Sequence, residues 1–584
     1  MQSTFSGLEK QIAQEVSSEI LMKHVHEISR YVRISGSHDE AKSLEYVKSE
    51  LGRYGLKVTE HRFDAYIGYP EAAELFVTLP EYRKIEGVSA ALAPSTPHDG
   101  TEAEMNYVGW GSEEEFSRRD VRGKLVLAEG LAEPEIAKRA DNHGAVGEIF
   151  INDDHAHEGI ISVVWGTPRF ETVSLLPATP CISITESDGK YLKQLIEKGN
   201  VRAKLLARTW RGWRKIPVVT ADMPGAVERG RFVLLSGHID SWHYGAMDNG
   251  SANALMLEVG RVLSEYRKEL RRGLMIAFWS GHSHGRYAGS TWYADNFWLE
   301  LEKNCIVHVN VDSAGSKGAS MLTETSVMPE TKDFASSVIE RVTGQELSGR
   351  GFSRAGDQSF WGIGIPSIFM SISEIPVEAG QKDPALKTVN LFGPSPSGAG
   401  WWWHTPYDTI DKIDADNLKR DAMVYTLLIL GLCANPILPL NYERAAEELK
   451  RNLEELEEVA EETFDLQPLI RQTERLMQAL ARLNRRTKRT TVRQRARIDA
   501  LNHALMRLGR ILIPITHTQV GRYDHDLAVP IPPLPCLEEI RKLAKLDRES
   551  DDFKFLLNGL RRNANQVADA LDKALEVVNR ALLV

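Results

Sequence analysis

The chain has 584 residues, 42% apolar and 26% charged, with a formal net charge of −10. That length exceeds one ordinary hydrophobic core, and the acidic balance argues against a nucleic-acid partner, because phosphate binding needs a basic footprint. No stretch approaches the roughly 20 apolar residues of a membrane span and the polar start Met1–Lys10 has no signal-peptide core, so a cytoplasmic protein with no membrane partner is expected. Cys181, Cys305, Cys433 and Cys536 are scattered without paired spacing, which predicts reduced thiols rather than a disulfide frame or a zinc knuckle.

Apolar residues at helical spacing run from Ile20 to Leu56 across a Ser35-Gly36-Ser37 turn, and a strand pattern follows to Phe63. From 71 to 214 the texture changes to short alternating strands and turns. Two runs there, Asp120 to Gly130 and Ala140 to Asp153, each read as a strand, with a helix over 136–143 between them. From Ile216 strands (232–237, 274–279, 306–312, 367–371) alternate with helices (252–266, after Gly289, 332–342). Such alternation predicts an α/β fold with a mostly parallel sheet covered by helices, whose ligands sit at the strands' carboxyl ends. Residues 442–515 and 537–583 are helix formers with 3.6-residue periodicity, separated by the proline-rich Ala528-Val-Pro-Ile-Pro-Pro-Leu-Pro535, and predict a helical bundle. The basic run Arg482 to Arg497 reads as a solvated face. The expected division is therefore 1–70 and 215–436 for the two parts of the α/β domain, 71–214 for a β-rich insert and 437–584 for the helical bundle.

Polar residues collect at the carboxyl ends of the expected strands. His238 and Asp240, two apart, share a strand face. Asp248 sits in a Gly/Asn/Ser turn that opens a helix, His282-Ser283-His284 follows the 274–279 strand, Asp312 follows the next, and His404 lies in Trp401-Trp-Trp-His-Thr-Pro-Tyr-Asp-Thr409. Imidazoles and carboxylates converging on one rim suit a divalent transition metal, zinc or alternatively iron or manganese, with one or two ions per chain.

These motifs resemble the zinc-dependent aminopeptidase superfamily of co-catalytic metallopeptidases, in the branch of glutamate carboxypeptidase II and the transferrin receptor. The similarity is carried by Arg33-Ile-Ser-Gly-Ser37, His238-x-Asp240, Asp248-Asn-Gly-Ser251, Val309-Asn-Val-Asp312, Gly356-Asp357-Gln-Ser-Phe-Trp-Gly-Ile-Gly-Ile-Pro366 and His404-Thr-Pro-Tyr-Asp-Thr409. The 71–214 segment resembles the protease-associated insert of that branch. The resemblance implies that Asp248 bridges two metals, that His238 and Asp312 complete one and His404 binds the other, that Asp240 holds His238 in its ligating tautomer, and that Asp357 lies near the substrate cleft. It also implies a homodimer through the helical domain.

One departure matters. The family places an acidic pair, base then ligand, before a Gly-Ser; this chain has Ser280-Gly-His282-Ser283-His284-Gly-Arg-Tyr-Ala-Gly-Ser290. Counted forward from the strand, His282 takes the base position and Ser283 the ligand position; counted back from Gly289-Ser290, Ser283 and His284 do. Ligand chemistry favours His284 as the replacement metal ligand, since a serine hydroxyl binds zinc poorly, and His282, two residues away, is a candidate either for a ligand or for proton transfer. Arg354 and Arg286 are available for an anionic group of a peptide or small-molecule substrate, and Trp403 for an apolar wall. The expectation is a metal-dependent hydrolase of amide or peptide-like C–N bonds. A lyase or specialised amidohydrolase on the same scaffold, and a catalytically inactive receptor or scaffold, are the alternatives.

Overall fold

A computed structural model describes residues 6–352, 354–369, 371–389 and 395–584. Among them, strands β1 (Lys57–Leu79), β2 (Arg83–Ser89), β3 (Thr101–Tyr107), β4 (Leu125–Glu129), β5 (Gly147–Ile151), β6 (Cys181–Ile184), β7 (Arg202–Met223), β8 (Glu228–His238), β9 (Arg272–Trp279), β10 (Cys305–Asn310) and β11 (Ser367–Ile368) join one sheet in the order β1-β2-β6-β5-β4-β3-β7-β9-β8-β10-β11. Strands β1 and β7 pair antiparallel from Lys57 opposite Asp222 to Leu79 opposite Arg202. Because β1 also pairs with β2 and β7 with β3, the outer ends of this ribbon close the insert's strands into a ring. The inner end of β7 pairs with β9 and so ties the ring to the α/β sheet.

The sheet is therefore mixed. Strands β9, β8, β10 and β11 are mutually parallel, as are β3 to β6, and β7 is antiparallel to both runs. The expected boundaries at 70/71 and 214/215 fall inside β1 and β7. The strands continue across both positions, with a register shift between Pro70 and Ala72 and a stretch without buried residues over 210–215. Of the strand expected over 367–371, residue 370 lies outside the described residues.

All eight residues of β9 are buried, as expected of a strand covered on both faces. Val233 and Leu235 of β8 pack with Leu255, Leu257 and Val262 of the 252–265 helix, whereas Phe232 and Leu234 point the other way, toward Tyr293, Leu301 and Phe360. Period-two alternation thus feeds two separate cores. The first turn is fixed by chemistry legible in the sequence. Ser37 accepts the backbone N–H of Glu40 at 3.1 Å as a helix cap, and Gly36 has φ +71° where a Cβ would meet the Arg214 side chain at 2.7 Å and the Lys215 carbonyl at 2.9 Å.

The helices Tyr442–Ala460, Gln467–Arg489 and Asp551–Leu583 bury one stripe each, including Leu449, Leu453, Leu456, Val567 and Leu571, while Arg495–His517 is buried nearly all round from Ala504 to Ile515. The helix expected from 537 begins at Asp551 instead. Ser550 caps it by accepting the Phe553 N–H at 3.2 Å, and two acidic residues fill its first turn, whereas the preceding residues form only the short helix Ile540–Leu543. Among the described residues no helix is long and apolar enough to cross a membrane.

Candidate metal centre

Strand β8 delivers His238 to the carboxyl edge of the sheet, 1% exposed. Its Nδ1–H donates to the Asp240 backbone carbonyl at 2.8 Å, which leaves Nε2 free as a ligand. The resemblance assigned that orienting role to the Asp240 carboxylate, which instead lies 3.8 Å from Nδ1. The carboxylate is engaged elsewhere: Oδ2 accepts from the Ser35 hydroxyl and the Ser283 N–H, each at 2.9 Å, and Oδ1 from the His282 N–H at 3.2 Å. Burial opposes ionisation of Asp240, yet the bond to His284 and the nearby imidazoles hold it well below the usual carboxylate range. It ties the N-terminal turn, the end of β8 and the 280–284 turn together.

The loop from Ile239 to Gly245 is built on Arg33, which is wholly buried and donates to the carbonyls of Ile28, Tyr31, Ile239, Tyr244 and Gly245 at 2.7–3.2 Å. Burial lowers its pKa to about 10, so it stays a cation at neutral pH. Arg33→Met keeps much of the volume but leaves those carbonyls without donors. A loss of about 3 kcal/mol or more in unfolding free energy is expected, read by urea denaturation; a change under about 1 kcal/mol would contradict this role.

Asp248 enters from the turn before the 252–265 helix, with non-helical φ −111° and ψ 90°. The Asp408 carboxylate fixes it by accepting the Met247 N–H at 2.8 Å and the Asp248 N–H at 3.0 Å. The Asp248 carboxylate spans two imidazoles, with Oδ1 2.9 Å from His238 Nε2 and Oδ2 2.9 Å from His404 Nε2. Asp312 Oδ1 is 3.6 Å from His238 Nε2. His404 has φ +56° and donates Nδ1–H to the Glu158 carbonyl at 2.8 Å, so its Nε2 is also the free nitrogen. His243, Arg286, Tyr287 and Ser313 share such left-handed backbone, with φ between 47° and 69°, strain of the kind that gathers at functional sites.

The segment that lacks the acidic pair leaves β9 at Trp279. The expected ligand His284 is drawn away from the rim, with Nδ1 2.9 Å from Ser35 Oγ and 3.2 Å from Asp240 Oδ2, and its ring lies against Trp242. His282 instead faces the rim. One of its nitrogens lies within 4.8 Å of ligand atoms of His238 and Asp312, and its Nδ1 is 2.9 Å from Asp357 Oδ2, whose Oδ1 accepts from Ser290. Its ring stacks on that of His238, with centroids 3.8 Å apart and planes at 7°. An imidazole lone pair lies in the ring plane, so an ion in line with His238 Nε2 sits out of the His282 plane by nearly the stacking distance. In this pose the two rings do not serve one ion.

The residues fit a divalent metal. His238 Nε2 and Asp248 Oδ1 are buried and 2.9 Å apart, yet neither has a hydrogen-bond partner. Their lone pairs converge without the alignment of a hydrogen bond, and ligands of a tetrahedral zinc with bonds of about 2.0–2.1 Å lie about 3.3 Å from one another. His238, Asp248 and Asp312 would hold one ion. Asp248 Oδ2 lies 2.9 Å from His404 Nε2, and Ser283 lines the same cavity.

Asp248, His282, Ser283, Asp312 and His404 line a cavity of about 570 Å³ whose wall also includes Trp242, Tyr287, Trp403, residues 157–160 and Ala528–Pro530 of the proline-rich loop. Trp403 stacks on His404 with centroids 3.3 Å apart. Arg354 lines the cavity, but its guanidinium pairs with Asp526 at 2.5 Å and donates to the His517 carbonyl, which withdraws it from an anionic substrate. Arg286 donates weakly to the Ala528 carbonyl at 3.4 Å and lies over Tyr287. Arg33, Asp408 and Glu158 were not among the expected site residues. Arg33 and Asp408 stand inside the quoted motifs, whereas Glu158 has no sequence signal and is brought in only by the docking of the insert.

Residues 218–428 match the model for peptidase family M28. The chain is 23% identical over 532 residues to a probable glutamate carboxypeptidase, AMP1, of Arabidopsis thaliana, covering 78% of this chain and 73% of the relative. It is 25% identical over 405 residues to the aminopeptidase YwaD of Bacillus subtilis, covering 68% and 80%. Among solved structures, an aminopeptidase from Aneurinibacillus sp. strain AM-1 superposes with a TM-score of 0.54 at 22% identity, covering 73% of this chain and 96% of that one. A peptidase M28 precursor from Shewanella amazonensis superposes with 0.58 at 18%, covering 74% and 97%. Residues 218–428 thus match peptidase family M28, and the chain around them is that of a metallopeptidase-like hydrolase similar to aminopeptidases and glutamate carboxypeptidases.

Proposed function

We propose that the chain hydrolyses peptide or amide C–N bonds with one firmly held divalent ion, zinc by preference, and with His282 as proton acceptor. The reading is carried by the Asp248 carboxylate, which meets His238, with Asp312 beside it, through one oxygen and His404 through the other, on the wall of a cavity large enough for a short peptide. When bound, the ion supplies Lewis-acid polarisation of the scissile carbonyl and acidifies an attacking water.

The chain's own residues supply the rest. Asp357 accepts the Nδ1–H of His282 and so fixes the tautomer in which Nε2 is the acceptor. That nitrogen takes the proton of the attacking water, and the resulting imidazolium, paired with Asp357, returns it to the leaving amine. Asp240 holds the His282 and Ser283 amides, so the imidazole is fixed from both its backbone and its ring. Ser283, in place of a carboxylate, leaves the His404 side short of negative charge, so a second ion would be held weakly against repulsion from the first. After exhaustive dialysis of zinc-loaded protein, elemental analysis is expected to give close to a single ion per chain; none would sink the hydrolase reading, and two would sink the single-ion assignment. We further read the helical segment as a homodimer surface, to be checked by light scattering on the eluted protein.

A further inference from the structure

The helical segment carries its charge at opposite ends. The end of Tyr442–Ala460 and the turn after it hold seven acidic residues over 454–465 and no cation, whereas the stretch between Glu474 and Asp499 holds nine arginines or lysines and no acid. That stretch runs from the last turns of Gln467–Arg489 through the connection 490–494 into the first turn of Arg495–His517, so the topology gathers it at one hairpin tip. Leu476, Leu480 and Leu483 are buried, which sends Arg482, Arg485 and Arg489, at i, i+3 and i+7, out along the other side of the helix. These three are exposed, as are Lys488, Arg493 and Arg495. The ion pairs that the two helices make, Lys450 with Glu474 and Arg507 with Glu302, lie away from the tip, and among the described residues none involves these six. Midway along the connection, Val492 is 68% exposed.

Fold stability does not account for this arrangement. Arg486, Lys488 and Arg489 complement the dipole of the helix they end, but Arg493, Arg495 and Arg497 stand at the start of the next helix, where a cation faces the positive end. That start has no acidic residue in its first turn and no side-chain cap. Arg497 is drawn to the Val584 carbonyl at 3.3 Å, and Glu443, which reaches this end of the bundle, is bonded to Asn484 instead. Six exposed cations that repel one another without an internal counter-charge are expected to find it outside the chain. The net charge of −10 does not cancel their field. Screening leaves a reach of only about 8–10 Å at physiological salt, and the helix from Arg495 to His517 spans about 33 Å. His517, at its far end, accepts from Arg354 on the cavity wall.

We propose that this hairpin tip docks on an anionic lipid bilayer, with the six cations against the headgroups and Val492 reaching the headgroup boundary. Clustered cations around an exposed apolar residue match that interface. Nucleic acid is the poorer match, since 475–498 contains no Phe, Tyr or Trp on which a base could stack. Contact at a surface needs no spanning helix. The proposal is independent of the hydrolase reading, and it leaves the cavity a helix length away from the membrane.

The test is co-sedimentation of the full-length protein with vesicles of phosphatidylcholine alone, or with about 30% phosphatidylserine, at about 0.1 M salt. The anionic vesicles are expected to bind at least about 30-fold more tightly, and to lose at least about 10-fold of this at about 0.5 M salt. Arg485→Gln, Lys488→Gln, Arg489→Gln and Arg493→Gln combined, which keep helix propensity, should bring binding to within about 3-fold of the neutral vesicles with the thermal unfolding curve unchanged. Val492→Ser alone should cost about 3-fold; binding unmoved by it would count against the bilayer and for a purely ionic partner. No preference for the anionic vesicles, or a preference kept by the quadruple variant, would overturn the proposal. So would tighter binding of an RNA or DNA duplex than of the vesicles, which would assign the tip to nucleic acid. Self-association lost in the quadruple variant, without vesicle binding by wild type, would overturn it too and assign the tip to the acidic end of a second copy.

Discussion

Asp248→Ala is expected to release the ion and end turnover together. The Asp248 carboxylate meets both His238 and His404, and it carries the negative charge that makes the pocket hospitable to a cation. Without it, His238 and Asp312 remain as a two-point site on one side and His404 stands alone on the other. Zinc retained after dialysis should fall to background, and kcat/KM should drop by at least about 1,000-fold, which is about 4 kcal/mol of transition-state stabilisation. The circular dichroism spectrum should stay close to wild type, because the surrounding turn is fixed by Arg33 and Asp408 rather than by the carboxylate itself. Full zinc retention in this variant would refute the assignment of Asp248 as the shared ligand.

The second large effect separates proton transfer from metal binding. His282→Ala should lower kcat by about 100- to 10,000-fold, the usual share of a general base, while zinc content stays at the wild-type level. Asp357→Asn should do part of the same damage, about 10- to 1,000-fold. An amide donating to Nδ1 would place the ring proton on Nε2, where the acceptor lone pair is needed. The stacked pose of His282 on His238 is the ground for expecting zinc to remain. If His282→Ala lost its zinc, His282 would be a ligand and the proton acceptor would have to be sought elsewhere on the cavity wall. His284→Ala provides the contrast. Its ring bonds to Ser35 and Asp240, so the expected result is lower stability with zinc retained.

Local physics carried a large part of this into the sequence. The alternation of apolar strands with amphipathic helices after Ile216 marked the α/β domain because each strand is buried on both faces. His238, Asp248, Asp312 and His404 could be picked out because each stands at a strand end or at the turn that follows one. The helices after 436 announced themselves by their apolar stripes. The boundary of the insert did not, since β1 and β7 run through it as uninterrupted strands.

What the sequence by itself offered is a candidate inventory in order: four ligand-type side chains at strand ends or in the turns after them, and a His-Ser-His turn where the resemblance calls for two acids. Spacing along one segment cannot say which histidine of that turn faces the rim, because the gap can fall on either side of it. That choice belongs to the tertiary structure. Asp240, arriving from β8, takes the backbone amides of His282 and Ser283 and the ring of His284, while Asp357, from a loop far along the chain, takes the ring of His282. Glu158 is the extreme case. Nothing within its own segment suggests a role, and only the contact between insert and His404 turn brings its carboxylate into the cavity.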